Sequence, residues 1–278
     1  MEAYRSKFRV VKMAEVLEVS KSGFYAYLNR PKSNRAIANE QLLEKIKAVF
    51  KRSHGIYGYP RITKALKSDG SPSKNRVYRL MRDNGIRSKT VKKYKATTNS
   101  NHNLPVAENV LNRNFSAPKP NQKWVSDITY IATDEGWLYL AGVMDLCGRA
   151  IVGFAMADHM RKSLVINALN QAIDRTGAKE GLLVHSDRGV QYASHEYQSI
   201  LQKNKFICSM SRKGNCYDNA PMESFWGKLK QEWLYGRRFK TRAEAKDAVF
   251  EYIEVFYNRQ RSHSSNEYQI PMEVIKAA

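Results

Sequence analysis

Trp124-Val125-Ser126-Asp127-Ile128-Thr129-Tyr130-Ile131 is rich in β-branched and aromatic side chains and holds one carboxylate at its centre. Such a run is a strand. Both of its faces are largely apolar, so it is read as a strand covered on two sides, where an ionised Asp127 is costly unless a cation or hydrogen-bond donors meet it. The neighbouring sequence has the same texture. Lys123 to Thr133, Trp137 to Leu146 and Arg149 to Ala157 are β-rich, and Asp134-Glu135-Gly136 and Cys147-Gly148 are turn signals between them, which predicts a three-strand antiparallel meander.

Downstream, Ser163 to Arg175 places Leu164, Ile166, Ala168, Leu169, Ala172 and Ile173 at helical spacing and leads through Gly177 to a short strand, Leu182 to His185. A helix around Glu196 to Lys203 then precedes Phe206 to Met210. Three antiparallel strands followed by helix, strand, helix, strand is the element order of a ribonuclease H-like α/β fold.

Two more acids stand at informative places. Asp187 ends the run Leu182-Leu183-Val184-His185-Ser186 and precedes Arg188-Gly189, so it lies at the carboxyl end of a buried strand, where ligand sites gather in α/β folds. Glu223 opens a helix marked by Asp218-Asn219 and Pro221, with Met222, Phe225, Trp226, Leu229 and Trp233 as its buried stripe and Glu223, Gly227 and Lys230 on an adjacent face. Each acid alone has a structural account, as a turn-forming Asp or a Glu favoured by the helix dipole. Their joint spacing, 35 residues between Asp187 and Glu223, asks for more.

Upstream of the strands the texture changes. The chain of 278 residues has a net charge of +21, and residues 1–120 carry 26 basic and 8 acidic side chains, so +18 of that excess lies in the first part. Such asymmetry predicts a half that neutralises phosphates, with a merely solubilising surface as the alternative. No apolar run is long enough to span a bilayer and the basic residues are not gathered on one amphipathic helix, which argues against a membrane partner. Cys147, Cys208 and Cys216 have no Cys-x-x-Cys spacing and are read as reduced thiols of a cytoplasmic protein.

Within that basic half, Val11 to Leu17 and Lys21 to Leu28, the second capped by Ser20, outline a helix-turn-helix in residues 1–35. Val11, Ala14, Leu17, Phe24 and Leu28 are its expected inner face, and Lys21, Ser22 and Tyr25 its expected DNA face. Residues 36–90 form a second helical domain, with apolar stripes at Leu42, Leu43, Ile46, Val49 and Phe50, at Ile62, Ala65 and Leu66, and at Val77, Leu80 and Met81. Ser73 caps the last of these helices, whose Lys74, Asn75, Arg76 and Arg79 face away from the stripe, either toward DNA or simply toward solvent. Residues 91–122, with Asn99 to Asn103 and Pro118-Lys119-Pro120, read as a linker, and 123–278 as the catalytic core with C-terminal helices.

The segments Trp124 to Tyr130, His185-Ser186-Asp187-Arg188-Gly189-Val190-Gln191-Tyr192 and Asp218 to Trp226 resemble the three signatures of the DDE transposase and retroviral integrase superfamily, most closely the OrfB-type transposases of bacterial insertion sequences. Tyr57-Gly58-Tyr59-Pro60-Arg61 is similar to the helical DNA-binding region of that family and Tyr257 to Ser264 to its C-terminal signature. Asn266-Glu267 and Val190 depart from the family pattern outside the acids.

The resemblance implies an enzyme that cuts insertion-sequence ends and joins strands, with Asp127, Asp187 and Glu223 holding two Mg²⁺, or Mn²⁺ in their place, and Asp127 shared between them. It assigns Lys230 to transposon-end DNA, and it sets His185 and Gln191 beside Asp187 as braces or DNA contacts, with a buried structural His185 as the alternative. Partners implied are double-stranded DNA as terminal inverted repeats and target, a second copy in a synaptic complex, and an upstream OrfA-type region, fused or separate; the expected location is the cytoplasm at the nucleoid. A catalytically silent end-binding repressor and a purely hydrolytic nuclease of the same fold are the competing readings. The apolar C-terminal run Ala248, Val249, Tyr252, Ile253, Val255 and Phe256 either contacts a second protomer or packs on the sheet.

Overall fold

A computed structural model describes residues 1–67, 70–89, 106–213 and 215–278. Asn99 to Asn103 lie outside the described residues.

Five strands form one sheet in the order β3-β2-β1-β4-β5. β1 (Lys123–Thr133) pairs antiparallel with β2 (Gly136–Asp145), which pairs antiparallel with β3 (Ile151–Ala157). On its other side β1 pairs parallel with β4 (Leu183–Ser186), and β4 parallel with β5 (Ile207–Met210). Side chains alternate across the sheet. Trp124 and Val143 pack with α6 (Lys162–Thr176) and α7 (His195–Lys203), while Val125, Ile131, Leu140 and Met144 pack with α8 (Ala220–Leu229) and α9 (Arg242–Phe250). Helices therefore cover both faces, as the apolar strand sequence requires. The predicted strands and helices of the core agree with these bounds to within two residues.

The second helical layer continues into the basic half. α3 (Asn34–Arg52), α4 (Tyr59–Ala65) and α5 (Lys74–Asp83) bury Leu42, Ile46, Val49, Ile62, Leu66, Val77 and Met81 in the same apolar cluster as α8 and α9. At the junction the His54 ring meets Trp233 and Phe256 edge-on, with centroids 4.9 and 5.4 Å apart. The Ser73 hydroxyl accepts from the Arg76 N–H, as read from the sequence.

Three expectations change. α1 (Val10–Val16) and α2 (Lys21–Asn29) form with the Ser20 cap in place, yet Val11 and Leu17 are exposed, Phe24 and Leu28 only half-buried, and Ala14 alone is buried. Two helices of two turns offer too little surface to bury one another. The described part of the expected linker, from Val106, lies on the core: Leu111 and Ala117 are buried and the Leu111 N–H donates to Ser209 Oγ at 3.0 Å. Polar composition hid this, because a few apolar anchors suffice when side-chain hydrogen bonds supply the rest. Finally, Ala248, Val249, Tyr252, Ile253 and Phe256 are buried within the chain, which favours packing on the protein's own core over the protomer contact, while Phe250 and Val255 remain exposed on the same stretch.

Candidate active site

Asp127 lies on the β1 face that looks toward α8, two residues beyond Val125, whose parallel partner is His185 on β4. The same step along β4 reaches Asp187, so register alone brings the two carboxylates side by side at the carboxyl end of the parallel strands. Asp187 leaves the strand in a turn held by its own side chain, Oδ1 accepting from the Gly189 N–H at 2.8 Å. A Cβ on Gly189 would stand 3.0 Å from that oxygen and 2.9 Å from Gln191 Oε1. A side chain there would require Gln191 or Asp187 to shift. Glu223 sits in the first turn of α8 at the rim of the site, exposed to solvent.

Asp127 carries the strongest electrostatic signature. Burial and the Asp187 charge, with a smaller contribution from Glu223, push its carboxyl up to about 8, against donation from the Ile128 N–H and the Trp226 indole. Partial burial also pushes Glu223 up. A carboxyl whose proton affinity is raised by two neighbouring acids sits where positive charge is short. All three acids offer hard oxygen donors of the kind Mg²⁺ takes. Among the described residues no group of three or more His, Cys, Asp and Glu is drawn tight enough to form a ready ligand set. The donor set and the raised Asp127 fit a hard divalent cation.

One part of the site was missed in the sequence. The Trp226 Nε1–H donates to Asp127 Oδ2 at 3.0 Å. Gly142, directly opposite Asp127 on β2, makes this possible, since a Cβ there would meet the Trp226 ring at 2.9 Å. Two signals pointed to it: a buried Trp needs a partner for its N–H, and a glycine inside a strand marks a close approach.

The other expected residues divide. Lys230 opens a π-helical turn (Lys230–Leu234) at the end of α8, and its ammonium lies over the Tyr130 ring, 5.1 Å from the centroid, within the field of Asp127. Gln191 stays beside Asp187 while its Nε2 donates to Met160 O at 2.9 Å. His185 does not join the site: it is buried, with Nδ1 2.8 Å from Ser209 Oγ and Nε2 3.1 Å from Ser211 Oγ, and burial pulls it down to about 4, so it is a neutral tie between β4 and β5. Lys21, Ser22 and Tyr25 are exposed on α2, and Lys74, Asn75 and Arg79 on α5. Arg76 is half-buried, its Nε donating to Asn39 Oδ1 at 2.8 Å.

An integrase core domain model matches residues 117–216, a second integrase core model residues 204–271, and an HTH-like domain model residues 38–94. The chain is 42% identical over 267 residues to the transposase InsF for insertion sequence IS3A of Escherichia coli strain K12, covering 95% of this chain and 93% of the relative. This chain belongs to the IS3-type insertion-sequence transposases. It is also 48% identical over 253 residues, 91% of the chain and 93% of the relative, to the insertion element IS600 uncharacterized 31 kDa protein of Shigella sonnei. A solved simian T-cell lymphotropic virus intasome aligns over 83% of this chain and 74% of its own at 17% identity and a TM-score of 0.49. The transposase thus joins an α/β integrase core to an HTH-like helical region, and the HTH-like match falls on α3 to α5 rather than on residues 1–35. Among the described residues no helix is long and apolar enough to cross a membrane.

Proposed function

We propose that this transposase cleaves the ends of its insertion sequence and joins the freed strands to target DNA by phosphodiester transesterification, with Asp127, Asp187 and Glu223 holding two divalent cations, Mg²⁺ or Mn²⁺. The observation that carries the reading is the convergence at Asp127: burial, Asp187 and Glu223 act together to raise one carboxyl to about 8. When bound, the cations would supply neutralisation of charge on the attacking and leaving oxygens of an in-line displacement. The protein's part is to keep the oxygens in place. The Trp226 indole orients the Asp127 carboxylate through Oδ2, and the Gly189 N–H orients Asp187 through Oδ1. Asp127 releases its proton to solvent as positive charge arrives. Lys230, anchored over Tyr130 at the rim, meets a phosphate of the DNA end, and Lys74, Asn75, Arg76 and Arg79 read or grip the duplex from α5, with Lys21, Ser22 and Tyr25 adding contacts from α2.

Joining requires two DNA ends in one place, and each chain has one acid triad, so the working form is a multimer at the nucleoid in the cytoplasm. The test is incubation of the full chain with DNA carrying its own element's ends, in Mg²⁺ and in EDTA. Metal-dependent joined strands are the expected product. Cleavage without joining would replace the reading by a hydrolytic nuclease, and binding without cleavage by an end-binding repressor.

A further inference from the structure

Two sequence motifs that the acids leave unexplained meet in the fold. The Tyr57 hydroxyl donates to Gln260 O at 3.2 Å and accepts from the Ser262 N–H at 2.7 Å, which brings Tyr57-Gly58-Tyr59-Pro60-Arg61 against Tyr257 to Ser264. Behind this seam the buried Arg261 forks onto Glu232, Nε to Oε2 at 2.7 Å and Nη2 to Oε1, and the Tyr252 hydroxyl donates to the same carboxylate at 2.8 Å. Glu232 is thereby occupied. Arg61, Arg149 and Lys228, which share this neighbourhood, form no ion pair with a carboxylate among the described residues, and Arg61 Nε is buried without a partner.

Arg149 and Lys228 line a cavity of about 210 Å³ together with Ser224, Tyr257, His263 and Ser265, and no acid borders it. At ~30 Å³ per water this holds a phosphate group and several waters. Ser224 and Lys228 stand on the flank of α8 next to the Glu223 face. Donors outnumber acceptors here. Lys228 Nζ is 3.0 Å from Ser224 Oγ and 3.2 Å from His263 Nε2, while the Ser265 N–H points at His263 Nδ1 from 3.3 Å. Burial, then Lys228, Arg261, Arg149 and Arg61, pull His263 down to about 3, so the ring is neutral and has one lone pair for two donors. Arg149, moreover, is held at a φ of 60°, a left-handed conformation that strains a non-glycine residue. Uncompensated cations and surplus donors around a cavity are what an oxyanion corrects.

We propose that this cavity binds a phosphate group, and that the phosphate it takes is one in the backbone of a DNA strand passing from the Glu223 face over α8. The DNA half of this statement rests on the reading of that face as the DNA-processing site. Inorganic phosphate has the same chemistry, so the test separates the two sources.

Full-length wild type, Lys228→Gln and Lys228→Arg are compared in EDTA, where no strand chemistry occurs and failure of the metal reading cannot interfere. Two quantities are measured: affinity for a mixed-sequence DNA duplex across a salt series, and the shift of the unfolding midpoint on adding inorganic phosphate. The expected result is that Lys228→Gln binds the duplex roughly tenfold more weakly at 0.1 M salt, with the log–log salt slope reduced by about one, and loses the phosphate-induced shift, while Lys228→Arg keeps both. The unfolding midpoint without phosphate shows that each variant is folded, and Arg149→Asn, which tolerates the left-handed backbone, serves if Lys228→Gln is not. Loss of the phosphate shift with unchanged DNA affinity and slope would overturn the DNA source in favour of the free anion. No change in either quantity would overturn the site.

Discussion

Asp218 is fully buried before the start of the Glu223 helix and Asp127 half-buried against its Trp226, and the chain treats them in opposite ways. Asp218 is fully buried and receives five N–H donors: Arg212 N, Nε and Nη2 at 2.9, 3.0 and 2.8 Å, Arg113 Nε at 2.8 Å and Asn109 Nδ2 at 2.9 Å. Donation from Arg212 and Arg113 holds its carboxyl well below the ordinary range. Asp127 has the Trp226 indole and one backbone N–H, with two other acids nearby, and is pushed up to about 8. A carboxylate supplied with guanidinium groups is finished as a structural part; one surrounded by acids is stable only in company with a proton or a cation. The contrast separates a fold-maintaining acid from the candidate functional one, although both stand in motif segments of the same core.

The widest separation is expected in catalysis. Asp127→Asn, Asp187→Asn and Glu223→Gln should each reduce strand joining by roughly 10³-fold or more, since metal-borne charge stabilisation is worth several kcal/mol and each 1.36 kcal/mol is tenfold. Duplex binding should be kept, and gel quantification of joined product beside a binding titration reads both. Joining at wild-type rate by any of the three would remove it from the metal set.

Asp218→Asn should do the reverse, lowering stability by about 2–4 kcal/mol, somewhat under the cost of breaking a fully buried pair because Arg212 and Arg113 are partly exposed. Its folded value is depressed, so its contribution is complete above the unfolded carboxylate value of 3.8 and is lost as pH falls below it. Denaturant unfolding at neutral pH and at pH values below 3.8 should therefore show the variant's deficit shrinking on acidification. A deficit independent of pH would mean that the charge is not what matters.

These two acids also mark what the sequence reveals. Asp127 was legible because an acid amid apolar strand residues is conspicuous at short range, as were the strand-end position of Asp187 and the apolar stripe behind Glu223. Asp218 read only as a helix-start signal. Its partners Asn109 and Arg113 lie more than a hundred residues away in a polar segment that looks like linker, and no local pattern announces such a pairing. The Gly142 and Trp226 contact had local signals on each side, but joining them depends on the pairing of Asp127 with Gly142 and on where α8 lies against β2. His185 was left between two readings, because nearness to Asp187 in sequence does not reveal its pairing with Ser209 on β5, and the structure agrees with the buried structural one.

A smaller effect should appear in stability without metal. Asp127 has a folded value raised above its unfolded 3.8, so the folded state holds more protons than the unfolded one between about pH 4 and 8, and stability falls as pH rises through that window. Asp127→Asn removes the penalty and should raise the unfolding midpoint in EDTA at pH 8 by several degrees, at about 2–4 °C per kcal/mol for a domain of this size. At pH 4 the gain should vanish. Millimolar Mg²⁺ should raise the wild-type midpoint and leave the variant nearly unmoved, and equal responses would show that Asp127 does not sense the cation.

The finest adjustment is Trp226→Phe, which keeps an aromatic ring beside Gly142 but deletes the indole donor to Asp127. A hydrogen bond to a charged group is worth about 1.5–3 kcal/mol when buried and well aligned, and the neutral acid loses part of it too, so a shift of roughly one pH unit upward in the Asp127 titration is expected. Carbon-detected NMR of labelled aspartate carboxyls in EDTA follows it directly. In Mg²⁺ the same variant should need a correspondingly higher pH for half-maximal joining, because the proton that must leave Asp127 is held more tightly. An unshifted titration would mean that the indole orients the carboxylate without stabilising its charge. The contrast between the two acids would then rest on the guanidinium groups of Arg212 and Arg113 alone.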